Sequence, residues 1–254
     1  MLVRHKEDGY LVTGGGSGIG EATAEMLINR GARVTICGRR ADVIARVADR
    51  LGDRCLAVQA DVTVKEDQER VVEAAMRHGR EIKGLINNAG NMYRASVEEY
   101  DADQLLDIFN QNVVAGMMLS RWALPSLKAT KGSIVFLGSV HTRRAFPGVS
   151  PYAATKAALQ GLTQVMAAEL GPAGVRVNCV IPGAVPSDIN LRAGVGTRPE
   201  LEERFRRLAP MHALGRVGDG QDVAEAIGYL LEATWTTGTL LTVDGGLSLG
   251  ATTV

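Results

Sequence analysis

The 254-residue chain is 46% hydrophobic and 22% charged, a composition that excludes an intrinsically disordered protein. Its 28 basic residues balance 28 acidic residues, so the chain lacks the broad positive field of a non-specific nucleic-acid binder. No apolar run reaches the roughly 18 residues of a membrane span, and the charged N-terminus does not resemble a signal peptide, so neither a nucleic acid nor a membrane is expected as a partner.

The cysteines and histidines give no sign of a metal centre or a disulfide. Cys37, Cys55 and Cys179 lie in apolar, strand-like stretches and form no CxxC pair, which predicts reduced core thiols and a cytoplasmic location. The four histidines have no metal-ligand spacing, so no metal site is expected.

Short β-branched runs alternate with helical patterns along the whole chain. The predicted strands are Tyr10–Thr13, Arg33–Cys37, Leu56–Ala60, Gly84–Asn87, Ser133–Leu137, Val175–Val180 and Thr239–Val243. Helical patterns cover Ser17–Arg30 and residues 41–51, 103–129 and 152–170. Strict alternation implies right-handed crossovers, so we predict one α/β domain over residues 1–254 with a doubly wound, seven-stranded parallel sheet.

The glycine-rich segment from Thr13 to Gly20 follows the first strand and opens the first helix. Gly14 suits the tight turn, Gly18 allows the backbone to approach a diphosphate, and Gly20 allows close packing of helix on sheet. The helix N-terminus presents free N–H groups and partial positive charge to phosphates. This context predicts a dinucleotide site, with a purely structural turn as the alternative.

The turn after the second strand reads Gly38-Arg39-Arg40. An acidic residue at the Gly38 position would bind a ribose 2′-hydroxyl, whereas the guanidinium of Arg39 matches a 2′-phosphate. The pattern favours NADP(H) over NAD(H). The alternative is a solvated basic turn that contacts no cofactor.

Tyr152 and Lys156 are four residues apart at the start of a helical pattern, which places both side chains on one face. A phenol with a pKa of about 10 is a poor base at neutral pH, and a neighbouring ammonium lowers that pKa. Tyr152 is therefore predicted to exchange a proton with a carbonyl or hydroxyl oxygen while hydride moves. Ser139, at the end of the fifth strand, is predicted to hydrogen-bond the same oxygen.

Two further segments are predicted to border the substrate. His141, Arg143 and Arg144 follow Ser139 and are candidate ligands for an anionic substrate group, with a solvated loop or an oligomer contact as the alternative. Residues 183–213 form a long Gly-, Pro- and Arg-rich connection with one or two short helices around Pro199–Leu208, and this loop is predicted to close over the substrate.

The chain resembles the single-domain short-chain dehydrogenases/reductases over nearly its whole length. The motifs that carry the resemblance are the TGxxxGxG turn, Asn87-Asn88-Ala89-Gly90, the set Asn112, Ser139, Tyr152 and Lys156, Pro182-Gly183, and Val243-Asp244-Gly245-Gly246. The resemblance implies a three-layer αβα Rossmann fold and assigns Asn112 to a water that connects Lys156 to solvent.

The resemblance also implies a set of cofactor-binding residues. Asp61 is expected to hydrogen-bond adenine, and Pro182, Gly183, Val185 and Ser187 are expected along the nicotinamide. The full set is Gly14, Ser17, Gly18, Ile19, Gly20, Arg39, Asp61, Val62, Asn88, Ala89, Gly90, Tyr152, Lys156, Pro182, Gly183, Val185 and Ser187. Ser17 departs from NADP-preferring relatives, which often carry a basic residue at its position.

These observations together predict an NADP(H)-dependent oxidoreductase that interconverts a carbonyl and a secondary alcohol, with Tyr152 as general acid/base. Family resemblance implies a homo-oligomer, a tetramer or a dimer. One alternative is an NAD(H)-linked alcohol dehydrogenase. The other is a nucleotide-binding redox sensor without catalytic activity.

Overall fold

The computed structural model describes residues 7–250. Seven strands form one parallel sheet in the order β3-β2-β1-β4-β5-β6-β7, which confirms the predicted doubly wound fold. The strands are β1 (Gly9–Thr13), β2 (Arg33–Gly38), β3 (Cys55–Gln59), β4 (Gly84–Asn87), β5 (Ser133–Leu137), β6 (Arg176–Pro182) and β7 (Leu240–Val243).

Helices connect successive strands. They are α1 (Gly18–Asn29), α2 (Ala41–Leu51), α3 (Lys65–Gly79), α4 (Ala102–Phe109), α5 (Ala115–Thr130), α6 (Ser150–Leu170), α7 (Ile189–Arg192), α8 (Arg198–Leu208) and α9 (Gly220–Glu232). The helix predicted over residues 103–129 is not one regular helix, because Asn110–Val114 form a π-helical turn between α4 and α5. Among residues 7–250, no helix combines the length and apolarity needed to cross a bilayer.

The helices form two layers because successive residues of the central strands point to opposite faces of the sheet. Val12 packs in the layer that contains α1, α2 and α9, with Leu27 and Ile227 among its fully buried residues. Leu11 packs in the opposite layer with α3, α5 and α6. Cys37, Cys55 and Cys179 are buried free thiols, as predicted.

The strand order places the carboxyl ends of β1 and β4 side by side, with crossovers leaving them in opposite directions. A crevice forms at such a switch point because neighbouring loops diverge to opposite faces of the sheet. The predicted bounds of β4 and β5 match the observed ones, and those of the other strands differ by one or two residues, the largest difference being the extension of β6 through Pro182. That extension carries the chain to the rim of the crevice.

Candidate active site

A cavity of about 310 Å³ lies at the carboxyl edge of the sheet. Its wall contains most of the residues singled out by sequence: Gly14, Ser17, Ile19, Arg39, Asp61, Val62, Asn88, Ala89, Gly90, Ser139, His141, Tyr152, Lys156, Pro182, Gly183, Val185 and Ser187. Within residues 7–250, no group of three or more His, Cys, Asp or Glu side chains is placed to hold a metal ion.

The glycine turn has the backbone geometry that its sequence predicts. Gly14 and Gly18 have φ values of +66° and +56°, a region that residues with a Cβ rarely adopt. A Cβ on Gly20 would lie 2.3 Å from the carbonyl oxygen of Gly14, so only glycine permits this packing of α1 on the turn. Asn88 fastens the turn to β4, since its Nδ2 donates to the carbonyl oxygens of Thr13 at 2.8 Å and Gly14 at 3.1 Å.

The start of α1 fits a diphosphate. Ser17, the N-cap residue, is extended and makes no side-chain capping hydrogen bond, so its side chain does not satisfy the first-turn N–H groups. Both Ser17 and Ile19 line the cavity. Because unsatisfied backbone donors and the helix dipole favour negative charge, the turn suits the diphosphate of a dinucleotide.

The far end of the cavity is basic. Arg39 and Arg40 line it from the β2–α2 turn, and Arg192 of α7 lines it from the loop after β6. Burial lowers the pKa of Arg192, with the positive charges of Arg40 and Arg39 adding to the effect and Asp188 opposing it. Arg40 lies 3.8 Å from a carboxylate oxygen of Asp188. This end therefore carries an excess of positive charge.

Asp61 lines the same end of the cavity, but one of its carboxylate oxygens is already used. Its Oδ1 accepts hydrogen bonds from Thr63 N at 3.0 Å and from Thr63 Oγ1 at 2.7 Å, an Asx turn that begins the loop before α3. Contact with an adenine amino group would depend on the other oxygen.

Tyr152 and Lys156 lie on one face of α6, and both are buried at the cavity wall. The Lys156 Nζ donates to the carbonyl oxygen of Leu137 at 2.8 Å and lies 5.5 Å from the centroid of the Tyr152 ring. Ser139 lines the same cavity, and its hydroxyl acts on the phenol by opposing the rise in the Tyr152 pKa. The phenol, ammonium and hydroxyl predicted from sequence are therefore brought together.

Burial shifts the pKa values of Tyr152 and Lys156, an effect that the sequence analysis did not take into account. Burial raises the pKa of Tyr152 to about 12, with the Ser139 hydrogen bond opposing the rise, and lowers the pKa of Lys156 to about 8. The prediction that the adjacent amine leaves the phenol more acidic than usual is wrong for the protein alone. Removal from water penalises each charged form more than their proximity favours it.

Asn112 lies behind the cavity wall in the π-helical turn. Its Nδ2 donates to Thr155 Oγ1 and to the carbonyl oxygen of Asn91, both at 3.0 Å, and its Oδ1 accepts from Asn91 N at 2.8 Å. These bonds join the segment after β4 to α6. The sequence pattern did not indicate Asn91 and Thr155 as the partners of Asn112.

The loop after Ser139 contributes His141 to the cavity but not its arginines. His141 Nδ1 lies 2.8 Å from Ser139 Oγ, and burial, together with nearby guanidinium groups, lowers the pKa of His141 to about 4. Arg143 is exposed outside the lining, and Arg144 Nη1 donates to the carbonyl oxygen of Leu247 at 2.8 Å. Neither Arg143 nor Arg144 lines the cavity, so their role as ligands for an anionic substrate group stays a prediction.

Helix α8 supplies cavity residues that the sequence analysis did not single out. Arg204, Phe205 and Leu208 line the cavity near His141, and Leu201 is buried on the same helix. They follow Leu201 by three, four and seven residues, a spacing that places all four side chains on one face of a helix. This spacing is the sequence signal by which the three cavity residues could have been found.

Comparisons with known proteins agree with this architecture. The family model described as Enoyl-(Acyl carrier protein) reductase matches residues 14–248. The 2-(S)-hydroxypropyl-CoM dehydrogenase 3 of Xanthobacter autotrophicus is 36% identical over 254 residues, covering 98% of this chain and 99% of the relative.

Two solved structures extend the comparison. A protein described as a short chain dehydrogenase/reductase family protein has a TM-score of 0.82 at 33% identity, covering 98% of this chain and all of that one (100%). The 3-ketoacyl-(acyl-carrier-protein) reductase of Brucella melitensis, complexed with NADH, has a TM-score of 0.86 at 30% identity, covering 96% of this chain and 99% of that one.

Proposed function

The chain belongs to the short-chain dehydrogenase/reductase family of oxidoreductases, and we propose that it interconverts a carbonyl and a secondary alcohol with NADP(H). The observation that carries this proposal is the grouping of Tyr152, Lys156 and Ser139 on one wall of the cavity beside the glycine turn. A nucleotide-binding sensor has no need for a buried phenol, amine and hydroxyl at that place. The solved relative from Brucella melitensis, described as complexed with NADH, supports a nicotinamide nucleotide.

The residues that would hold the dinucleotide follow the cavity wall from one end to the other. Arg39, Asp61 and Val62 lie at the adenosine end, the glycine turn at the diphosphate, and Asn88, Ala89 and Gly90 along the channel. Pro182, Gly183, Val185 and Ser187 complete the wall towards Tyr152. The nicotinamide, when bound, supplies or accepts the hydride.

The protein's own residues handle the proton. In the reductive direction the Tyr152 hydroxyl donates its proton to the substrate oxygen as the carbonyl carbon gains hydride, and in oxidation the phenolate takes that proton back. Ser139 hydrogen-bonds the same oxygen and polarises the carbonyl. Lys156 stabilises the phenolate by its charge. Asn112 maintains the geometry of α6 through Thr155 and connects Lys156 to solvent in the family scheme.

The preference for NADP(H) rests on the three arginines at the adenosine end. Arg39 and Arg40 are exposed, and Arg192 approaches them closely enough that their charges lower its pKa. The three guanidinium groups outnumber the carboxylates of Asp188 and Asp61 at this end, and the remaining positive charge suits the extra phosphate of NADPH.

The test of this preference compares kcat/KM for NADPH and NADH in the wild type and in Arg39→Ala. Loss of a charge-assisted contact should lower the NADPH value by about 10- to 100-fold and leave the NADH value within about threefold. Arg46→Ala, which removes an exposed arginine paired with Asp42, is the matched control. A wild type that prefers NADH would support the NAD(H)-linked alternative instead.

The test of the activity is a spectrophotometric screen at 340 nm with each nicotinamide nucleotide, against ketones, aldehydes, oxo-acids and cyclic diketones. Turnover that depends on Tyr152 supports the proposal. Nucleotide binding without turnover of any carbonyl or alcohol in the panel would favour the sensor.

We also propose that residues 1–254 act as one domain within a cytoplasmic homo-oligomer, a tetramer or a dimer. Three exposed apolar side chains suit burial against a second copy. They are Val114, directly before α5, Met117 on α5 and Val165 on α6. Sedimentation of the wild type and of Val165→Glu tests this assembly. A monomeric wild type would contradict it.

A further inference from the structure

Two arginines stand beside the reacting group at the end of the cavity opposite Arg39. Arg204 is half-buried in the cavity lining on α8, next to Phe205. Arg94 is half-buried on the segment after β4, where its Nη2 donates to the carbonyl oxygen of Pro147 at 3.3 Å. The positive charges of both arginines act on His141, where they add to burial in lowering its pKa.

Neither guanidinium is neutralised within the described part of the chain. Two acids of α8 have other partners: Glu203 pairs with Arg206 and Arg207, and Glu200 caps the helix. No carboxylate of residues 7–250 forms an ion pair within 4.0 Å of Arg94 or Arg204.

The Arg94 side chain shows most clearly that this positive charge lacks a counter-charge among residues 7–250. Its Nη1 is buried without a hydrogen-bond partner, and burial followed by the charge of Arg204 lowers its pKa. A buried donor without a partner is costly, and Arg204 adds a half-buried positive charge in the cavity wall, so the two arginines together indicate that an anion completes the arrangement.

This pair is separate from the basic residues at the adenosine end. Arg204 shares its part of the wall with His141, Phe146 and Tyr152. The His141 ring centroid lies 5.5 Å from that of Tyr152 and 5.0 Å from that of Phe146. The positive charge of Arg204 therefore acts on the ring that packs edge-to-face against the phenol proposed to exchange the proton, where a substrate rather than a nucleotide phosphate would extend.

We propose that Arg204 binds an anionic group of the carbonyl substrate directly, and that Arg94 strengthens this subsite with its charge from behind the wall. The inference rests on the proposed function and narrows it to oxo-acids or other anionic carbonyl compounds, with the anion a few bonds from the reacting carbon. The neutral ring of His141 fills the space between the anion and Ser139 without adding a further charge.

The test uses matched pairs of substrates, pyruvate, acetoacetate and levulinate, each beside its methyl ester, with Arg204→Gln and Arg204→Lys. In the wild type the acid should be preferred over its ester for at least one pair. Arg204→Gln should raise KM for that acid by about 10- to 100-fold and leave KM for the ester within about threefold. Arg204→Lys should restore part of the preference, because it retains the charge but not the planar fork.

The control is Arg207→Gln, which changes an exposed arginine of the same helix. It should leave KM for the acid and KM for the ester unchanged. An equal rise in KM for acid and ester in Arg204→Gln would overturn the proposed subsite. A wild type that prefers every ester over its acid would also overturn it. If no carbonyl compound is turned over, the proposed function fails, and the subsite is then judged by saturation-transfer NMR with levulinate and methyl levulinate. Binding of levulinate alone, lost in Arg204→Gln, would support it, and equal binding of both would overturn it.

Discussion

The electrostatic role of Lys156 can be measured by replacing it with methionine, which keeps the length of the side chain and removes its charge. With pKa values of about 12 for Tyr152 and about 8 for Lys156, proton transfer from phenol to amine is unfavourable by about four pKa units. Lys156 Nζ lies 5.5 Å from the centroid of the Tyr152 ring, and unit charges at about that separation attract by about 3 kcal/mol at an effective dielectric constant of about 20, which offsets about two of those units. The phenolate population at pH 8 should therefore be about 100-fold smaller in Lys156→Met.

The assay is the pH profile of kcat for alcohol oxidation at saturating nucleotide, where Tyr152 must act as base. We expect Lys156→Met to be about 100-fold slower at pH 8, with its rate rising through an apparent pKa about two units above that of the wild type. The deficit should shrink as the pH rises above about 8, the pKa of Lys156, because the wild-type amine then loses the charge that stabilises the phenolate. Lys128→Met changes an exposed lysine of α5 and should behave as the wild type. A deficit that stays constant from pH 7 to 10 would refute the reasoning and leave Lys156 with a purely structural or nucleotide-holding role.

Three further predictions concern the same cavity. Tyr152→Phe should lower turnover by about 10²- to 10⁴-fold with dinucleotide affinity kept, and near-wild-type turnover measured at 340 nm would remove this residue from the chemistry. Gly20→Ala forces its Cβ to 2.3 Å from a carbonyl oxygen of the glycine turn, so unfolding should require about 1–3 kcal/mol less and dinucleotide binding should weaken. Gly161→Ala, in open space on α6, should instead match or exceed the wild type in thermal denaturation, and equal behaviour of the two variants would contradict the packing argument. Because burial lowers its pKa to about 4, His141 should stay neutral from pH 5.5 upwards, and an NMR titration with a midpoint near 6.5 would show that burial and the two arginines do not act as described. His141→Ala should slow turnover about two- to tenfold through loss of the Ser139 contact.

Patterns local in sequence were the most predictable part of the protein. Alternating β-branched runs and helical periods determine the strands to within one or two residues, because each depends on neighbours a few positions away. The glycine turn was also readable from sequence, because Gly14 and Gly18 need φ values that other residues rarely adopt. The π-helical turn at Asn110–Val114 was not, since its amide contacts are made with residues 21 and 43 positions away.

The direction of side chains outside the helices and strands could be determined only from the tertiary structure. Arg143 and Arg144 follow Ser139 in sequence and are predicted to bind the substrate, but neither lines the cavity. Arg204 lines it instead, and its charge acts on Arg94, more than a hundred positions away in sequence. Nothing in the linear order of the chain indicates that these two guanidinium groups are neighbours.

The amino-acid order alone thus determined the alternating architecture, the diphosphate turn and the pairing of Tyr152 with Lys156 on one helical face, because helix period, strand alternation and glycine stereochemistry are short-range effects; the family resemblance added Ser139. Tertiary structure decided the acidities and the charge of the cavity. A pKa depends on how much water a group loses and which charges surround it. Burial by several distant segments raises the pKa of the Tyr152 phenol to about 12 and lowers the pKa of the Lys156 amine to about 8.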